Sequence, residues 1–303
     1  MHKKILICVG ITFLFLGTCT IPSVAIDNPL RSISNGNTLY VGGSGEGNYT
    51  TIQKAINDAE DGDTVFVYDD KHVYYENLVI KKSINLIGEN KDTTVIDGEE
   101  LGNVIELYND SIWIENFTIR DSKKESDILT YSGIYCFSNY NTITNCIFYD
   151  NRYGITLSGN RNNIINNLIT ENVVGIGIEG SNNFISMNII TKNKQWGILL
   201  NHCMYNNITF NHIGFNDFGI RNLYSNGITI ERNNFILNRN PAYYWCNVEP
   251  DNIFEGNYWN RPRILPKMIF GLKYFETGVW VWPYFWFPDF EIDRHPAKVP
   301  YNI

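Results

Sequence analysis

Five glycines, each followed by an isoleucine, recur through the middle of this chain at a nearly fixed interval. Gly133, Gly154, Gly175, Gly197 and Gly219 are spaced by 21, 21, 22 and 22 residues. Asn151, Asn172, Asn193 and Asn216 stand three or four positions ahead of the last four glycines. Ile143, Ile164 and Ile185 repeat at 21, as do Ile147, Leu168 and Ile189, and Asn145 and Asn166 form a further column. A period of this length means that each repeat buries its apolar face by stacking on its neighbours, so the chain is expected to be a solenoid.

Between the Asn and Gly positions there is room only for short runs such as 142–145, 147–149 and 154–157. They are rich in Ile and Thr and read as strands, and none is long enough for a helix. Three strands and three turns fill one period, so each coil stacks on the last at about 4.8 Å. From 139 to 240, 25 of 102 residues are Asn. Asn suits the bends because its side chain bonds backbone in adjacent coils and tolerates left-handed dihedrals. The expected fold is all-β, a parallel β-helix, right-handed because parallel crossovers prefer that hand. Segments 84–88, 94–98, 104–108 and 112–119 extend the period backwards, and Pro241-Ala242 replaces the Gly-Ile step at the far end. Eight or nine coils are expected, with 64–68 beginning the first strand and an inserted loop around 122–131.

Both ends of such a stack need covers. Thr50 to Gln53 reads as a capping box, with Thr50 as N-cap, opening a short helix that carries Ile52, Ala55, Ile56 and Ala59 on one face. The tail, 259–303, loses the period and holds Trp259, Trp280, Trp282 and Trp286. It reads as an aromatic C-terminal cap, with peripheral envelope contact as the alternative. At the start, Lys3 and Lys4, an apolar run over 5–16 and Ser23-Val24-Ala25 read as a signal peptide, 1–25, so an exported protein at the cell surface, outside the cell or in the periplasm is expected. The β-helix domain is placed at 38–258.

Thr51-Ile52-Gln53-Lys54-Ala55-Ile56, Gly62-Asp63-Thr64-Val65 and Ile84-Asn85-Leu86-Ile87-Gly88 resemble the opening of NosD-like β-helix proteins. The Asn-x-Ile and Asn-x-x-Gly-Ile repeats are similar to the same family, a branch of the pectin-lyase-like superfamily. The resemblance implies the fold and an exported setting. It also brings in copper, because the family is named for periplasmic proteins linked to copper delivery.

The formal net charge of −8 argues against nucleic acid as a partner. Sugar cleavage needs clustered carboxylates, or calcium with a base. Asp150 stacks on Glu171, but Lys192 follows; Glu179 lies between Ser158 and Asn201; Asp69-Asp70 is isolated near the first coil. Arg120, Arg152, Arg161 and Arg221 are available to a calcium-assisted lyase, yet no partner set selects one, so no catalytic residue is assigned. For copper, His202, Cys203, Met204 and His212 are the soft-donor candidates. For glycan binding, Tyr135, Tyr153, Trp196 and Phe218 lie beside the Gly-Ile step. The last three, with Val174 between, form a column on which sugar rings can stack. The expected role is non-catalytic carbohydrate binding or surface scaffolding, with a glycan or another envelope component as partner and no cofactor required; a lyase or hydrolase, or a copper accessory protein, are the alternatives, and they would bring in calcium or copper. Cys136 shares the inward column of Leu157, Ile178 and Leu200, Cys146 falls in an outward slot, and Cys203 is three coils from Cys136. These three and Cys246 are expected to be free thiols.

Overall fold

The computed structural model describes residues 36–70, 73–125, 130–246, 251–260, 265–276 and 284–303. The expected signal peptide, His72, Asp127, Trp280 and Trp282 lie outside these residues, as do the side chains of Cys246 and Trp286.

The described chain winds as a parallel β-solenoid with three sheets and one short helix. The first sheet has ten strands, from Thr38–Val41 to Ile253–Glu255. The second also has ten, from Leu78–Ile80 to Tyr284–Asp293, and the third has nine, from Val73–Tyr75 to Tyr258–Trp259. Each strand pairs in parallel with the equivalent strand one coil on; the exception is Tyr284–Asp293, which turns back antiparallel on Lys267–Glu276. The register makes the sequence columns physical. Ile105, Ile134, Ile155, Ile176, Ile198, Ile220 and Ala242 align across the second sheet, and Ile143, Ile164, Ile185, Ile208 and Ile230 across the first. Their isoleucines are buried and form one continuous core.

The stack starts earlier than the period suggests. Thr38–Val41, before the helix, already pairs with Thr64–Val67. Two strands escape the sequence count although both are flanked by Asn and Gly: Thr38–Val41 lies between Asn37 and Gly42 and Ile253–Glu255 between Asn252 and Gly256, but neither carries the Gly-Ile step at the 21–22-residue spacing.

The helix, Ile52–Asp58, buries Ile52, Ala55 and Ile56. The expected capping box does not form. Thr51 is the N-cap and its side chain makes no capping bond. The first amides of the helix instead donate to the Glu76 carboxylate, Ile52 N–H at 2.8 Å and Gln53 N–H at 2.9 Å. Gln53 is thereby released for another task. Its amide accepts from Val79 N–H and donates to Val79 C=O, satisfying the edge of the second sheet as a neighbouring strand would.

Three buried Asn ladders run along the corners. One comprises Asn141, Asn162, Asn183 and Asn206; another Asn167, Asn188, Asn211, Asn233 and Asn257; the third Asn151, Asn172, Asn193, Asn216 and Asn238. In each, the Oδ1 of one Asn accepts the backbone N–H of the Asn one coil earlier. Only the third was evident as a periodic column beside the glycines. The left-handed residue is not the ladder Asn but the one before it: Asp150, Glu171, Lys192, Phe215 and Leu237 all have φ between 51° and 59°. Asn145 and Asn166 belong to this left-handed set rather than to a ladder.

The ladder through Asn257 ends on a carboxylate. Asp293, fully buried, accepts from Asn257 N–H at 2.9 Å and from Trp259 Nε1–H at 2.9 Å. Beyond it, Ala297 N–H donates to Asn257 C=O, and Tyr301 exchanges backbone bonds with the Asn234 side chain.

Candidate functional site

The second sheet offers the widest outer surface. Its central strands are five to seven residues long, such as Val174–Ile178, Trp196–Asn201 and Asn240–Cys246, against three residues for most strands elsewhere. Alternation leaves two outward columns, and the residue before each Gly-Ile step, where the glycine interrupts the pairing, adds a third. The register places Tyr153, Val174, Trp196 and Phe218 in one column, as the sequence implied. All three aromatic members are half-buried. Tyr153 leans over Gly177, where an added Cβ would lie 3.0 Å from ring carbons Cδ1 and Cε1.

The neighbouring columns add aromatics that the sequence reading did not single out. Tyr135 stacks on Phe137 at 4.1 Å and Phe137 on Tyr108 at 4.8 Å. Tyr108 donates to Glu106, and Ser158 bridges Tyr135 and Glu179. Tyr243 meets Phe218 edge-on at 6.3 Å. The guanidinium of Arg221 lies 5.1 Å from the Trp196 ring centre and 5.8 Å from that of Phe218. The signal for Tyr108 and Phe137 was available: each follows an inward residue, Leu107 or Cys136, of one column. A cavity of about 320 Å³ lies at the early end of this face, among Val79, Leu101, Asn103, Glu106 and Tyr131.

The charged residues gather elsewhere. Arg120 pairs with Asp97 at 2.8 Å and donates to Tyr149 at 2.8 Å. Lys124 is held by Glu100 at 2.9 Å, Asp150 at 3.0 Å and Asp121 at 3.5 Å. Burial and the nearby Asp97 and Asp150 push the Asp121 carboxyl up, whereas the carboxylates around Lys124 raise the ammonium against its own burial. Three carboxylates thus surround Lys124, which is the central cation of this network. Arg152 donates to Lys124 C=O, and Arg161 lies over Tyr140. Arg120 also lies 3.5 Å from Asp121 Oδ2, so the Asp97 and Asp121 carboxylates share it.

The copper candidates do not converge. His212 lies in His212–Gly214 of the third sheet, whereas His202, Cys203 and Met204 follow Trp196–Asn201 of the second. His202 is exposed and stacks on Tyr224. Met204 points to solvent, and buried Cys203 approaches the Ser225 hydroxyl at 3.3 Å. Among the described residues no group of three His, Cys, Asp or Glu is arranged to hold a metal ion. The donor set present in the described residues therefore does not fit copper, because adjacent residues at the corner diverge between core and solvent.

Cys136, Cys146 and Cys203 are free and buried. Cys146 corrects the outward placement: it occupies the inward ladder slot, and its N–H donates to Asn167 Oδ1 at 2.9 Å. Burial pushes the Cys136 thiol up to about 11 and the Cys146 thiol up to about 12, from an ordinary value near 9.0, and raises Cys203 as well. Folded values above unfolded ones add stability below pH 9 that is lost as pH rises towards the folded values. All three are expected to be silent to a thiol reagent at pH 8 in the native protein and to react in denaturant. Rapid native labelling of these sites, read by peptide mapping, would contradict their burial.

The family profile described as "Periplasmic copper-binding protein (NosD)" matches residues 56–278. A sequence search of curated proteins gave no match. Among solved structures, the alginate lyase from Paenibacillus sp. str. FPU-7 is similar with a TM-score of 0.62 at 14% identity, covering 75% of this chain and 88% of that one. The pectate lyase Pel9A is similar with a TM-score of 0.56 at 15% identity, covering 76% and 72%. At these identities the likeness shows the fold alone.

Proposed function

As a member of the NosD family within the pectin-lyase-like β-helix proteins, this chain is one for which we propose an exported, non-catalytic role in binding carbohydrate along the outer face of its second sheet. The observation that carries this reading is the aromatic continuity of that face. Tyr108, Phe137 and Tyr135 stack at one end, and Trp196 and Phe218 lie beneath Arg221 towards the other. Aromatic faces in successive coils suit stacking of sugar rings along the axis. The non-catalytic part rests on the ion network around Lys124, which ties up the charges a lyase would use. Export rests on the reading of residues 1–25 and on the periplasmic description of the family. No described helix is long and apolar enough to cross a membrane.

The test is a glycan-array screen of the protein with calcium and with chelator, followed by affinity measurement on the best hit. Trp196→Ala and Tyr153→Ala should each weaken binding about tenfold, the scale of a well-packed aromatic contact. Unchanged affinity in both variants would remove the assignment. Calcium-dependent appearance of unsaturated sugar products would replace it with the lyase reading.

A further inference from the structure

Resting on that carbohydrate reading, we infer that the second-sheet face selects a sparsely acidic glycan, with Arg221 as the residue that receives an isolated sugar carboxylate. Arg221 aligns with Gly177, Leu199 and Tyr243 across the outward column. Its guanidinium sits over Trp196 and Phe218, the two rings proposed to stack sugars. Its Nε is buried and has no hydrogen-bond partner. No side-chain acceptor or ion pair engages it among the described residues, in a chain where acids outnumber bases, 32 to 24. Arg120, Arg152, Arg161 and Arg239, by contrast, each have an oxygen acceptor. A guanidinium with idle donors beside a stacking surface fits a planar carboxylate that arrives attached to a ring.

The rest of the face sets the spacing of charge. Glu179 lies two coils from Arg221, about 10 Å at one strand spacing per coil. Glu106 lies further along, in the column of Tyr135. A polymer with a carboxylate on every sugar would bring its own charges against both. A largely neutral chain with an occasional acidic unit meets Arg221 and avoids them. Lys81, over the Tyr108 ring at 5.8 Å, and Lys123, over the Tyr131 ring at 5.6 Å, are cations towards the opposite end, so favourable charges on the ligand are far from the one at Arg221.

The experiment is calorimetric titration of the full chain with three probes of matched length: a plain xylo-oligosaccharide, the same oligosaccharide carrying one glucuronic acid, and an oligogalacturonate. The singly acidic probe should bind about tenfold more tightly than the plain one and more tightly than the fully acidic one. Arg221→Gln should abolish the preference for the singly acidic probe over the plain one, and Arg221→Lys should keep part of it; thermal melts of both variants show whether they fold. Equal binding of the plain and singly acidic probes overturns this inference and leaves the carbohydrate reading in place. An unchanged preference in folded Arg221→Gln does the same, as does tightest binding of oligogalacturonate. Failure of all three probes to bind overturns it together with that reading.

Discussion

Gly175→Ala is expected to destabilise the folded chain by about 3 kcal/mol, the upper part of the range for overpacking a well-packed site. The reason is steric rather than conformational. A Cβ built on Gly154 would lie 2.7 Å from the Gly175 carbonyl oxygen, and one on Gly175 would approach the Gly197 carbonyl more closely still. Ile190 Cγ2 and Asn193 Nδ2 would also stand within 2.9 Å and 3.1 Å of it. Relief requires the coils to part, but neighbouring strands are tied by the sheet on either side. Gly47→Ala is the control. Gly47 has a φ of +84° with nothing within 4 Å of an added Cβ, so its replacement pays only for the left-handed backbone, about 1 kcal/mol. Urea unfolding of the two variants checks the ordering. Equal midpoints would mean that close coil-to-coil approach is not why glycine recurs.

This explains why the glycine period was so legible. A steric demand repeated in five successive coils admits one residue type there and so writes itself into the sequence, while Val104 and Pro241 fill the same slot at either end of the run. Inward Ile and Leu columns are legible for a related reason, since β-branched and apolar residues satisfy both strand geometry and core burial. Other features are satisfied by many residue types and leave weaker marks. The left-handed corner position accepts Asp150, Glu171, Lys192, Phe215 and Leu237 in successive coils. The helix start can be capped by Glu76 from a later coil as well as by a local Thr and Gln, and the sequence does not rank these. The proposed binding face was half visible. Tyr153, Trp196 and Phe218 share a column with the glycine period, but Arg221 acquires meaning only from what fails to pair with it. His202, Cys203 and Met204 looked like a donor set because they are consecutive; the corner geometry sends Cys203 inward and its neighbours outward.

Asn188→Ala is expected to cost still more, about 4 kcal/mol, because it strands partners in two coils at once. The Oδ1 of Asn188 accepts both Asn167 N–H at 3.0 Å and Asn167 Nδ2–H at 3.1 Å. Its Nδ2 donates to Ile164 C=O at 2.8 Å and to Asn211 Oδ1 at 3.0 Å. Alanine keeps the backbone bond from residue 188 to Asn211 Oδ1 but supplies none of these four. The Asn167 N–H then stays buried with no acceptor, and each such orphan costs about 1–3 kcal/mol. Asn188→Asp keeps the acceptor and loses the donors, placing a carboxylate oxygen against Ile164 C=O and Asn211 Oδ1, so it should be no better tolerated. Asn166→Ala is the informative contrast, since Asn166 is exposed at the left-handed position and has no ladder role; its expected cost is about 1 kcal/mol. Because each coil is stabilised by its neighbours, a break in the middle of the stack should also uncouple its two halves. Urea unfolding of Asn188→Ala should therefore show a lower midpoint and a broader transition than the parent chain. A midpoint indistinguishable from that of Asn166→Ala would show that the coils are held by core burial alone and that the ladder contributes little.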